Sequence, residues 1–271
     1  MIEVVESVVV PKSDHSPCAD RLIAGPATWG VADGATAKPW DDPRGPDGAI
    51  LADAVSTLLA NLPRGADFAE AVRAATAEVA EMLAQAGIRP GRGSAVSFCV
   101  LQPAKRQIWR VGEARVMIDG RPVPTPGQAE DVVATARALA IESFLAAGET
   151  PESLRDVDRG RAAVEPLLRS LVELRNSATS RFAHAAIDGN PVPDHLTEII
   201  PLRDGDHDIV IATDGYVTIA PTLGESEKLL AGRIERDPLM IEEPTATKGV
   251  GRGANSFDDR AYIRVRLSGD T

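Results

Sequence analysis

The chain has 271 residues, 44% of them hydrophobic, which is enough for a real core in one large domain or two small ones; one is expected. A net charge of −11 argues against a nucleic-acid backbone or an anionic membrane surface as the main partner, because both repel it. Two cysteines, Cys18 and Cys99, are too few for a disulfide scaffold or a cysteine-rich zinc site and read as small buried side chains, and with no apolar run of the roughly 18 residues that span a bilayer, and acids where a signal peptide has bases, a soluble cytoplasmic protein is expected.

In chain order, the valine-rich stretch Ile2 to Val10 reads as a first strand ended by Pro11. A polar turn, Lys12 to Pro17, precedes Asp20 and the short strand Arg21 to Ala24, and a Gly-Pro turn leads into a strand that ends at Asp33. Acids thus flank an expected hairpin. After a loop rich in proline, glycine and charge, apolar residues at Ile50, Leu51, Ala54, Val55, Leu58 and Leu59 predict a helix closed by Pro63. A second helix is expected from about Phe68 to Ala86.

The basic, glycine-rich loop Gly87 to Gly93 reads either as a phosphate loop without Walker spacing or as a plain helix-to-strand connection. Ser94 to Leu101, Gln107 to Val111 and Val116 to Ile118 read as a strand meander, interrupted by Gly112-Glu113-Ala114-Arg115. Helical spacing runs from about Glu130 to Asn176, divided by Gly148 and Pro151. Strands are expected again at Arg181 to Ile187, Leu196 to Ile200 and Asp208 to Thr213, then a helix from about Glu225 to Glu235 and a last strand from Asp259 to Leu267. Two groups of strands, each followed by helices, predict an α+β chain with stacked antiparallel sheets rather than a parallel βαβ fold.

Two stretches far apart, TWGVADG at Thr28 to Gly34 and DIVIATDGY at Asp208 to Tyr216, each end a strand in Asp-Gly. An aspartate there is held at the rim of a core, and the glycine lets the backbone turn or a ligand approach. With Asp20 and Asp259, four aspartates stand at strand edges. His184, His195 and His207 show no metal-ligand spacing and read as surface or core residues. The loop Lys248 to Ser256 reads either as a flexible surface loop or as a cleft border carrying Arg252.

In this order the motifs resemble those of the metal-dependent protein phosphatases of the PPM, or type 2C, family. Cys18-Ala19-Asp20 stands where that family has an acid-aspartate pair, and WGVADG and IATDGY resemble its two Asp-Gly strand ends. Gly112-Glu113-Ala114-Arg115 resembles its Gly-Asp-Ser-Arg step, and DDRAYIRV its last strand, which starts Asp-Asn. The resemblance implies a four-layer α-β-β-α sandwich of two antiparallel sheets flanked by helices, over residues 1–271 as a single domain with a helical insert at about 127–178. It implies a serine/threonine phosphatase acting on phosphoproteins, in which a water bridging two Mg²⁺ or Mn²⁺ ions is the nucleophile.

Carboxylates without histidine or cysteine suit such hard cations. By the resemblance, Asp33 bridges both ions, the Gly34 carbonyl helps hold one, and Asp20, Asp214 and Asp259 complete the shells. Glu113 would join Asp214 at a third, weaker site. The family's phosphate-binding arginine is missing. About that position stands His15, with Lys12 nearby; His15 is a candidate either to bind phosphate or to protonate the leaving oxygen. Ala35-Thr36-Ala37 replaces the glycine pair after the first Asp-Gly, and Arg260 stands in place of asparagine. Two alternatives stay open: a catalytically weak, phosphatase-like module that binds a protein partner through its helical insert, and a phosphatase of small phosphoesters.

Overall fold

The computed structural model describes residues 1–35, 38, 44–125 and 129–269. Among these residues, ten strands form two five-stranded antiparallel sheets. They are β1 (Ile2–Val10), β2 (Asp20–Ala24), β3 (Trp29–Gly34), β4 (Val96–Gln102), β5 (Gln107–Val111), β6 (Arg115–Ile118), β7 (Arg121–Val123), β8 (Thr197–Pro201), β9 (His207–Ala212) and β10 (Arg260–Leu267). One sheet runs β1-β10-β9-β6-β7 and the other β2-β3-β4-β5-β8. Alternation along the strands gives each sheet two apolar faces. Val31, Cys99, Leu101 and Ile108 of the second sheet meet Val116, Ile211, Ile263 and Val265 of the first, and these fill the space between the sheets.

The outer face of the second sheet is covered by α1 (Gly48–Ala60) and α2 (Phe68–Gln85), whose Leu51, Val55, Val72 and Val79 pack on Phe98, Val100 and Trp109. Asp47 caps α1 by accepting from the Ile50 amide at 2.9 Å, and Asp67 and Glu70 form a capping box on α2. The outer face of the first sheet, at Met117, Val210 and Tyr262, is covered by Leu230 of α7 (Leu223–Arg236) and by Met240 and Phe257. The layers are therefore helix, sheet, sheet, helix, as expected.

Among the described residues, four α-helices lie between β7 and β8: α3 (Ala129–Ala146), α4 (Pro151–Asp156), α5 (Arg159–Ala163) and α6 (Glu165–Leu174). They carry small cores of their own, Val133 with Val164 and Leu168, and Ile141 with Leu154 and Leu239. Their strongest tie to the rest of the molecule is polar. The fully buried guanidinium of Arg137 donates to both Asp158 oxygens, to Leu239 O at 2.9 Å and to Ala246 O at 3.2 Å.

Two expectations need correction. Residues 181–187 are not a strand, and only isolated bridges at His184 and Ile187 remain. The Asn176 side chain takes the place of a neighbouring strand there, donating to Ala186 O at 2.7 Å and accepting from Ala186 N at 3.1 Å. The edge strand β7 went unanticipated, being three residues long with Pro122 at its centre.

Candidate metal and phosphate site

The β2–β3 hairpin sets Asp20 directly opposite Asp33. Asp33, the second-last residue of β3, takes the half-buried rim position expected of it, and Asp214 follows β9 on the opposing sheet. Both open onto one cavity of about 620 Å³, which Gly34, Glu113 and Asp258 also line. Glycine after each aspartate is required by close packing. A Cβ on Gly34 would stand 2.1 Å from the Gly48 carbonyl oxygen, and one on Gly215 would stand 1.9 Å from that of Asp259. Gly215 therefore lets the Asp214 turn lie against the entry to β10, which brings Asp258 to the same cavity.

Like charges crowd this space. The Asp33 carboxyl is pushed well above the usual range, first by burial and then by Asp20, Asp214 and Asp258. Asp214 is pushed from 3.8 to about 6, first by burial and then by Asp258 and Glu130. Glu113, on the turn after Gly112, is raised well above the usual range by Glu130, by its own burial and by Asp214. Glu113, Glu130 and Asp214 each present an oxygen, all within 4.8 Å of one another. Sequence reasoning paired Glu113 with Asp214 and missed Glu130. As the second residue of α3, Glu130 has no strand-end signal, and its nearness depends on how the helices between β7 and β8 fold back.

Asp20 stands behind this group. It is almost fully buried, accepts from Thr213 Oγ1 at 2.5 Å, and is raised by burial and by Asp258, Asp214 and Asp259 against the opposing effect of that hydrogen bond. Thr213 accepts in turn from Ala261 N at 2.8 Å, which ties the hairpin acid to β10. Asp259 faces away from the cavity. Its buried carboxylate accepts from Lys12 N at 2.7 Å and Ala19 N at 3.1 Å, with Lys12 Nζ at 3.4 Å, so it clamps the segment before β2. Its neighbour Asp258 is the acid of this pair that lines the cavity, where Lys248 Nζ meets it at 2.5 Å.

His15 is exposed in its turn, neither it nor Lys12 is among the residues lining the cavity, and Lys12 Nζ stands 3.9 Å from Asp258 at the Asp258–Asp259 edge. Arg260 is turned toward α7, where it makes two bonds of 2.9 Å to Glu227. Of the two basic loops, Gly87 to Gly93 stays outside the cavity, while Lys248 to Ser256 contributes Lys248. Arg252 of the same loop is 79% exposed and pairs with Asp156. His184 and His195 line the cavity, whereas His207 bonds Asp119 and Arg203 O. Burial pushes the thiols up to about 11 at Cys18 and about 12 at Cys99. Thr36 and Ala37, and Gly127 and Gln128 at the head of the helical segment, lie outside the described residues.

Two stacked antiparallel sheets with flanking helices are the fold of the PPM-type serine/threonine phosphatases, and the sequence resemblance holds at that level. The chain is similar to the Mycobacterium tuberculosis serine/threonine phosphatase PstP/Ppp, at 15% identity, with 98% of this chain and 99% of that one covered and a TM-score of 0.50. The catalytic domain of PstP in complex with two manganese ions gives 15% identity, 97% coverage of both chains and a TM-score of 0.50. Stp1 from Staphylococcus aureus gives 10% identity, 99% and 96% coverage and a TM-score of 0.51. No family model and no curated protein sequence matches the chain. No helix among the described residues is long and apolar enough to cross a membrane.

Proposed function

We propose that this chain is a metal-dependent phosphomonoester hydrolase, acting in the cytoplasm on phosphoserine or phosphothreonine in proteins and using Mg²⁺ or Mn²⁺. The observation that carries this reading is the convergence of Asp33, Asp214, Glu113, Glu130 and Asp258 on one cavity of a PPM-type fold. We read residues 1–271 as a single phosphatase domain, with residues 127–178 as its helical insert.

The donor set fits hard divalent cations. It is all oxygen, carboxylates with one backbone carbonyl, and Asp33, Glu113 and Asp214 are each raised by burial and by acidic neighbours, a repulsion that a bound cation would remove. When bound, such cations neutralise phosphoryl oxygens and lower the pKa of a coordinated water. Asp33, Asp214 and the Gly34 carbonyl would hold the principal ions, together with Asp258, and Glu113 and Glu130 would extend the group toward the insert. Asp20 supports Asp33 across the hairpin, with its orientation fixed by Thr213. Lys248 holds Asp258 in place until a cation competes for it.

The test is hydrolysis of an activated aryl phosphate and of phosphopeptides by purified protein with Mn²⁺, Mg²⁺ or chelator, alongside Asp33→Asn and Asp214→Asn. Metal-dependent hydrolysis that both variants abolish is the expected result. A wild type that binds Mn²⁺ but hydrolyses neither substrate overturns the reading. The protein would then be a partner-binding module, for which the exposed Val132 and Leu139 on α3 offer a surface. Turnover confined to small phosphoesters would retain the chemistry and replace the protein substrate.

A further inference from the structure

The cation before Asp20, where the sequence directs the search for a phosphate ligand, does not enter the cavity: His15 is exposed and Lys12 lies against Asp259. We propose that the substrate's phosphate is held instead by Arg161 of the helical insert, through its Nε and Nη2. This rests on the hydrolase reading above.

Arg161 lies in α5 and lines the cavity that holds Asp33, Asp214 and Asp258. Its Nη1 donates to Thr247 O at 2.8 Å and lies 3.4 Å from Thr247 Oγ1. That hydroxyl donates to Glu130 Oε1 at 3.1 Å, so the guanidinium stands one residue away from the acid cluster. Nε and Nη2 have no hydrogen-bond partner among the described residues. An arginine with one edge anchored and the other open matches the two-point geometry of a phosphate. The backbone is fixed as well. Arg161 N donates to Asp158 Oδ1 at 2.8 Å, and Asp158 is itself gripped by the buried Arg137.

The other cations at the cavity are less suited, Arg175 being engaged by Gly93 O at 3.4 Å and Asp188 at 3.7 Å. Lys248 is engaged by Asp258 at 2.5 Å. Arg115 donates from Nη1 to Thr125 Oγ1 at 3.0 Å, and its Nε is enclosed where no ligand reaches it. Lys38 offers a single ammonium without the paired N–H fork of an arginine, and burial with Lys248 and Arg161 pushes it down to about 8. Arg161, despite its own burial, keeps its charge.

Calorimetry with inorganic phosphate in the presence of Mg²⁺, competitive inhibition by phosphate, and Mn²⁺ isotherms on wild type, Arg161→Ala, Arg161→Lys and Arg159→Ala test the proposal. Arg161→Ala should weaken phosphate binding and raise KM on the order of 10- to 100-fold, as for loss of charge-assisted bonds, with the Mn²⁺ isotherm unchanged. Arg161→Lys should recover only part of the loss. Arg159→Ala, two residues away and paired with Glu149, should match wild type. Unchanged phosphate affinity in Arg161→Ala overturns the assignment, as does a parallel loss of Mn²⁺ affinity, which would make the residue structural. A loss appearing in Lys12→Ala instead of Arg161→Ala also overturns it. Because phosphate binding is read directly, an inert wild type that binds phosphate through Arg161 would refute the hydrolase reading and leave this assignment standing. An active enzyme indifferent to Arg161→Ala would do the reverse.

Discussion

Removing the charge of Asp214 should make the metal-free protein more stable at neutral pH. The Asp214 carboxyl is pushed from 3.8 to about 6 in the folded chain, by burial first and then by Asp258 and Glu130. Below 3.8 the group is protonated whether the chain is folded or not, and it contributes no pH dependence. Between 3.8 and about 6 the unfolded chain ionises while the folded one does not, so stability falls as pH rises through that window and stays low above it. The displacement corresponds to about 3 kcal/mol of lost stability at pH 7 and above. Asp214→Asn should therefore raise metal-free stability by about 3 kcal/mol at pH 7.5, or roughly 6–12 °C in Tm for a chain of this size, and change it little near pH 4. Urea or thermal unfolding in chelator at pH 4, 5.5 and 7.5 measures this. Added Mn²⁺ should reverse the order, because only the wild type keeps the full donor set. Parallel pH–stability profiles for wild type and variant in chelator would refute the argument.

The two adjacent acids before β10 should separate cleanly. Asp258→Asn should weaken Mn²⁺ binding while leaving the fold intact, whereas Asp259→Asn should cost about 1–3 kcal/mol of stability by disturbing the bonds to the Lys12 and Ala19 amides; calorimetry and denaturant melts of both variants read the difference. Arg137→Met should cost about 3–5 kcal/mol by leaving the Leu239 and Ala246 carbonyls without their donor and the part-buried Asp158 without its cation. Hydrogen exchange should then rise first in α4, α5 and residues 239–250, and uniform exchange across the chain would count against Arg137 as the anchor of the insert.

Apolar spacing made the sheets legible. β1, β5 and β10 each have a strand's alternation or a β-branched run, and the Asp-Gly steps mark where two strands stop. The same reading misled at 181–187, where burial rises steadily from the exposed Arg181 and Phe182 to the buried Ala185, Ala186 and Ile187, and Asn176 satisfies the backbone. The site was legible where an acid sits at a strand end, as at Asp33 and Asp214. It was not legible at Asp258 and Asp259, because consecutive residues face opposite ways and the sequence does not say which faces the cavity. Glu130, Arg161 and Lys248 carry no local mark. They reach the cavity through the packing of the helices between β7 and β8 and of the loop around Thr247, and that packing depends on the buried contacts of Arg137.

The pairing of β1 with β10 places the earliest strand beside the latest, with Ile2 opposite Leu267. During synthesis β1 waits with its one sheet neighbour unmade, and the acids of the hairpin wait for Asp258. Closing so long a loop is slow and leaves an unpaired strand edge exposed in the meantime. The two acids of β1, Glu3 and Glu6, meet Arg266 and Arg264 only when β10 docks. Until then they serve as gatekeepers, discouraging that edge from pairing with a neighbouring nascent chain. The carboxylates that line the cavity, drawn from β3 and from the turn before β10, thus come together only once β10 has been made.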